Sequence, residues 1–107
     1  MGKQAIGFLE CAGYGAALYA MDKACKAADI TILGMDSINP KDTSANIPMT
    51  MQVKFQGSVS DVEIAVKTAG EAALEFNKPS EIITAIIDNP YSGVDKLCAI
   101  SKVKFKK

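Results

Sequence analysis

Two stretches of this sequence repeat their apolar residues at helical spacing, and most of those residues are alanine. From Ala16 to Ala28 the stripe is Ala17, Leu18, Met21, Ala24, Cys25 and Ala28, while Asp22, Lys23 and Lys26 fall elsewhere. From Val62 to Phe76 the inward set is Val62, Ala65, Val66, Ala69, Ala72, Ala73 and Phe76. A period near 3.6 predicts two amphipathic helices. Alanine favours the helix and keeps its surface thin, so each helix can approach a sheet or another helix closely.

The segments between them switch to the two-residue period of strands. Gln4 to Glu10 is a short apolar run with Ile6 and Phe8 on one face, and Ile30 to Met35 is rich in β-branched residues. In Met49 to Phe55, residues Met49, Met51, Val53 and Phe55 alternate with Thr50, Gln52 and Lys54, which predicts a third strand and a hairpin partner for the second. Glu81 to Ile87 is apolar nearly throughout, so it is expected at the centre of the sheet. A short helical piece at Val94 to Leu97 and a fifth strand at Ala99 to Phe105, with Val103 and Phe105 inward, would follow.

The punctuation agrees with these elements. Gly13-Tyr14-Gly15 is a turn into the first helix, and a lone GxG is too weak to indicate a nucleotide loop. Ser37 to Pro48 is the most polar stretch and reads as a loop. Ser60-Asp61-Val62-Glu63 has the pattern of a capping box, which gives both acids a structural task at a helix start. Asn77-Lys78-Pro79-Ser80 stops the second helix. Strand, helix, strand, strand, helix, strand is the split βαβ order of a ferredoxin-like α+β fold. Residues 1–107 are expected to form one such domain, both helices on one face of the sheet, with a C-terminal extension.

Composition excludes several functions. Twelve cationic and twelve anionic side chains balance, and every cation is lysine. Without arginine the chain lacks the planar fork that reads guanine and phosphate, so nucleic acid is not an expected partner. The tail Lys102, Lys104, Lys106 and Lys107 reads as a solvated strand end. There is no histidine, which removes the commonest general base near neutral pH and leaves no Ser-His or Cys-His pair. Cys11, Cys25 and Cys98 are scattered without a CxxC spacing, so no metal site is expected and buried, reduced thiols are. No run approaches the roughly 18 apolar residues of a membrane helix. Met1 to Glu10 lacks the apolar core of a signal peptide, and Ile6 stands where a myristoylation motif requires Ser or Thr. An enzyme is not expected, and neither is a cofactor or a membrane partner.

One longer likeness goes beyond these exclusions. The segment AIGFLECAGYGAALYAMDKACKAADITILG, Ala5 to Gly34, closely resembles the start of the bacterial microcompartment (BMC) shell domain. Gly7, Glu10, Gly13, Ala17, Ala20, Asp22, Lys26, Ala27 and Ala28 all fall on that family's pattern. Val53 to Ala73 resembles its third strand, Gly-x-Val turn and second helix. The resemblance implies a cytoplasmic, self-assembling shell protein whose single domain forms cyclic hexamers that tile edge to edge. Its implied partners are further copies of itself and other shell proteins, with encapsulated enzymes as further candidates. Small metabolites would pass a central pore lined by the loop between the second and third strands.

That loop departs from the family by being longer and polar, with Asn39, Lys41, Asp42, Thr43, Ser44 and Asn46. Two expectations stay open: a polar, altered or occluded pore, or extra residues that fold away onto one face. It contains no cysteine, so the iron–sulfur cluster that some members hold at the pore is not expected. The resemblance also implies that Lys26 contacts a neighbouring hexamer at the edge, although by itself it reads as a charge at a helix C-terminus. The family's edge arginine is replaced by Asn89, within Asp88-Asn89-Pro90-Tyr91, which can accept a hydrogen bond but brings no charge. The alternative from a different class is a ferredoxin-like regulatory module whose long loop closes over a small effector.

Overall fold

The computed structural model describes residues 4–38 and 49–88. The expected elements at Val94 to Leu97 and Ala99 to Phe105, and the lysine tail, lie outside the described residues. The chain forms β1 (Ala5–Ala12), α1 (Tyr14–Ala27), β2 (Thr31–Ile38), β3 (Thr50–Gly57), α2 (Val59–Ala73) and β4 (Ile83–Ile87), with a 3-10 turn at Pro79–Glu81 before β4. The sheet is antiparallel in the order β2-β3-β1-β4, so β3 is inserted between the strands that α1 connects. This is the ferredoxin-like βαββαβ topology that the element order predicts.

Both helices pack on the same side. On β1 and β3 the residues that face them are Ala5, Leu9 and Cys11, and Met51, Val53 and Phe55, all buried. They meet Ala16, Ala17, Ala20 and Ala24 of α1 and Val62, Ala65, Val66, Ala69, Ala72 and Ala73 of α2. A Cβ built on Gly7 would lie 2.5 Å from Val66 Cγ2 and 2.8 Å from Val62 Cγ1. Glycine is therefore what lets α2 settle onto β1, and Gly7→Ala would overpack the contact at a cost of about 1–3 kcal/mol.

Four expectations need correction. In α1 the buried face is rotated from the expected stripe: Ala16 and Ala20 are inward, while Leu18 and Cys25 are exposed. A helix this rich in alanine carries little information about which small residue faces in. The cap of α2 is Ser58, not Ser60. Its Oγ accepts from the Asp61 amide at 3.2 Å and donates to Asp61 Oδ2 at 2.8 Å, and the helix starts one residue later, at Val59. Phe76 lies beyond α2 and is exposed, its ring edge-on to Tyr19 at 5.3 Å.

The fourth correction concerns β4. It closes one end of the described sheet and pairs there with β1, and all five of its residues are exposed, Ile83 by 58%. A continuous apolar run has the same sequence signature whether a strand is buried by its own chain or left for another molecule to cover.

Candidate assembly surfaces

The two ends of α1 carry different parts of the candidate site. At its N-terminal end Gly13 adopts φ 96°, which releases the chain from β1 into the helix, and its amide donates to the Met49 carbonyl at 2.7 Å. The hairpin register ends with Ile38 opposite Thr50. The polar loop therefore leaves and re-enters the sheet at paired positions, beside the start of α1. Asn77, only 9% exposed, clamps the same end. Its Oδ1 accepts from the Ala12 amide at 2.6 Å, and its Nδ2 donates to the Ala12 carbonyl at 3.0 Å. The loop residues themselves, Asn39, Lys41, Asp42, Thr43, Ser44 and Asn46, lie outside the described residues.

Lys26 sits in the last turn of α1, thirteen positions after Gly13, or about 20 Å along the helix. Its ammonium reaches back one turn to Asp22 Oδ2 at 2.9 Å, with the Lys26 side chain 73% exposed. An acid one turn before a lysine suits the helix dipole, yet an exposed pair of this kind contributes only a few tenths of a kcal/mol. The ammonium is thus held lightly and remains accessible to a neighbour. Asn89 lies outside the described residues. Lys26 and the root of the polar loop are consequently kept at opposite ends of the domain, and the rigid helix between them fixes their separation.

The flank formed by α2 and β4 is the third surface. A groove of about 470 Å³ runs between them, with Val66, Leu74, Ile82 and Ile86 on its apolar walls and Glu63 and Lys67 among its polar groups. Leu74, Ile83, Ile86 and Ile87 are all exposed there. On the other side of α2, Tyr19 bridges the helices. Its hydroxyl donates to Glu75 Oε2 at 2.7 Å, and Lys23 Nζ lies 5.4 Å from the ring centroid. The bond to Glu75, more than burial, raises the pKa of that phenol.

The sheet face away from the helices holds an ion pair. Lys54 Nζ lies 2.5 Å from Asp36 Oδ2, with side chains 8% and 24% exposed. Lys54 alternates onto this face, as the period of β3 predicts, and is buried there. No group of His, Cys, Asp and Glu able to hold a metal ion occurs among the described residues. No helix there is long and apolar enough to cross a membrane.

Asn77, the Lys54–Asp36 pair and the exposure of β4 were not anticipated from the sequence. Only Asn77 left a trace there, as part of a helix-stop tetrapeptide.

Comparison with known proteins places this architecture. The BMC domain family model matches residues 5–90, which spans every described element. The carboxysome shell protein CcmK2 of Synechocystis sp. is 29% identical over 96 residues, covering 90% of this chain and 85% of that protein. The bacterial microcompartment shell protein PduK of Salmonella typhimurium is 28% identical over 92 residues. That alignment covers 86% of this chain and 52% of PduK, so the chain spans about half of that longer relative. A crystal structure of a microcompartment protein from Desulfitobacterium hafniense superposes with a TM-score of 0.71 at 18% identity, covering 96% of this chain and 51% of that one, and so shares its fold. The chain belongs to the BMC domain family and is homologous to carboxysome and microcompartment shell proteins.

Proposed function

We propose that the chain is a structural shell subunit of a bacterial microcompartment, working in the cytoplasm as one tile of a cyclic hexamer. The observation that carries this is the match of the family model to residues 5–90, the whole described unit of sheet and helices. The geometry suits it. An exposed apolar strand at the end of the described sheet is a liability in a lone domain, and covering it with the next subunit of a closed ring removes the exposed surface. In this reading β4 and the outer side of α2 form part of a subunit contact. The loop containing Asn39, Lys41, Asp42, Thr43, Ser44 and Asn46 faces the sixfold axis, where six copies make a polar pore for small metabolites. Lys26, at the far end of α1, lies at the rim, and Asn89 offers an acceptor to the lysine of the next hexamer.

The tile's work is structural and needs no bond-making chemistry: its partners are copies of itself, other shell proteins and encapsulated enzymes. Light scattering of the purified protein tests the ring. The expected mass is six times the 11.3 kDa of one chain. A stable monomer would overturn the proposal, and a dimer or trimer would favour the effector-binding regulatory module instead.

A further inference from the structure

The helix layer presents two unlike apolar surfaces on opposite flanks. Tyr19 and Lys23 turn towards α2, since Tyr19 bonds Glu75 and both line a small cleft between the helices with Thr68 and Glu71. At about 100° per residue, Tyr14 and Met21 lie on the far side of α1 from Tyr19, with Leu18 beside them towards solvent. Tyr14 is 48% exposed, Leu18 37%, and Met21 is partly buried. Together they form a convex apolar ridge. The second surface is the groove between α2 and β4, walled by Val66, Leu74, Ile82 and Ile86. The helix packed beside β4 is α2, and β4 ends the described sheet opposite β2. Ridge and groove therefore face away from each other.

We infer that the α1 ridge of one copy seats in the α2–β4 groove of the next, an inference that rests on the ring reading above and supplies the other half of its subunit contact. The occupant is a second copy because the chain itself carries a ridge to fill its groove, and because the charges beside them match. Lys23 shares its cleft with Thr68, so Asp22 and Lys67, the residues next to them, lie at one level of the helix layer. Both are exposed. Lys67 makes no ion pair among the described residues, and Asp22 gives Lys26 only its Oδ2, which leaves Oδ1 to accept. Rotation about an axis at the root of the polar loop keeps each residue at its own distance from that axis. It therefore carries Asp22 towards Lys67 of the next copy as the ridge meets the groove. Surfaces on opposite flanks make a heterologous contact, which repeats from copy to copy until a ring closes. Leu18 and β4, apolar and exposed in one chain, are then covered by the same contact.

Mixing two variants of the full chain tests it. Leu18→Glu spoils the ridge and spares the groove; Leu74→Glu does the reverse. Both positions are exposed, and circular dichroism checks that each variant is folded. Light scattering should find each alone at the mass of one chain. An equimolar mixture should form a species of two chains, because one sound ridge then meets one sound groove. A variant that keeps the wild-type mass, or a mixture of folded variants that stays monomeric, would overturn the inference while a six-chain wild type leaves the ring reading standing. A monomeric wild type would overturn both. A second measurement spares the apolar residues: Asp22→Cys with Lys67→Cys, in a chain carrying Cys25→Ser and Cys98→Ser. Mild oxidation should link these positions between chains, giving a ladder of up to six chains on a non-reducing gel that either single cysteine variant lacks. No ladder would also overturn the inference.

Discussion

Asn77 holds the backbone of Ala12 by both of its polar edges, 65 residues away in sequence, with its side-chain oxygen 2.6 Å from the Ala12 nitrogen. The amide side chain acts here as one more residue of strand, finishing β1 where the sheet gives way to α1. Through this bond the turn after α2 is tied to the end of the sheet from which the polar loop departs.

Replacing that clamp should destabilise the domain. Asn77→Ala leaves the part-buried amide and carbonyl of Ala12 without these partners, at a cost of about 1–3 kcal/mol for the two. Asn77→Asp keeps an acceptor for the amide but turns a carboxylate oxygen toward the Ala12 carbonyl, so it should cost no less at neutral pH. Urea unfolding with an unchanged slope and a lower midpoint is the expected result. A change under 0.5 kcal/mol, taken as about the size of a surface substitution, would remove Asn77 from this role.

The Lys54–Asp36 pair should behave as a partly buried charge pair. Asp36→Ala removes the carboxylate beside a buried ammonium and is expected to cost about 2–3 kcal/mol, discounted for the partial exposure of Asp36. Lys54→Met with Asp36→Leu replaces both charges by apolar groups and should cost less than Asp36→Ala alone. Chemical denaturation of the three proteins reads this order directly, and a double variant weaker than the single would refute it.

Lys26→Ala separates assembly from folding. Its pair with Asp22 is exposed, so thermal stability should shift by less than about 0.5 kcal/mol. Electron microscopy should find individual rings intact and hexagonal sheets lost. Sheets that persist would remove Lys26 from the edge.

The two described thiols should differ in reactivity. Burial, with a smaller contribution from the charge of Glu10, raises the Cys11 pKa from 9.0 to about 11. Cys11 should therefore resist alkylation at pH 8 until the protein unfolds, while exposed Cys25 reacts in the native state. The sign for stability follows from linkage. Between pH 9 and 11 the unfolded chain has already released the Cys11 proton and the folded chain has not, so stability falls as pH rises, by roughly 2–3 kcal/mol across the window. Below pH 9 this thiol contributes no pH dependence. Cys11→Ala should flatten that alkaline slope in urea unfolding; an unchanged slope would assign it to other groups.

By itself, the sequence determined the element order, the antiparallel hairpin of β2 and β3, and the inward face of α2 from Val62 to Ala73. Each is written in a local period that only one regular structure satisfies, and the likeness over Ala5 to Gly34 and Val53 to Ala73 pointed to the family on the same residues. The tertiary structure decided what local periods cannot express. It rotated the buried face of α1, because a helix of alanines offers several nearly equivalent faces and only contact with α2 and the sheet chooses one. It moved β4 to the end of the described sheet, because strand order depends on which strands pair across long separations. It buried Lys54 and Asn77, because a polar side chain leaves water only where a partner from a distant part of the chain meets it, Asp36 in one case and the backbone of Ala12 in the other.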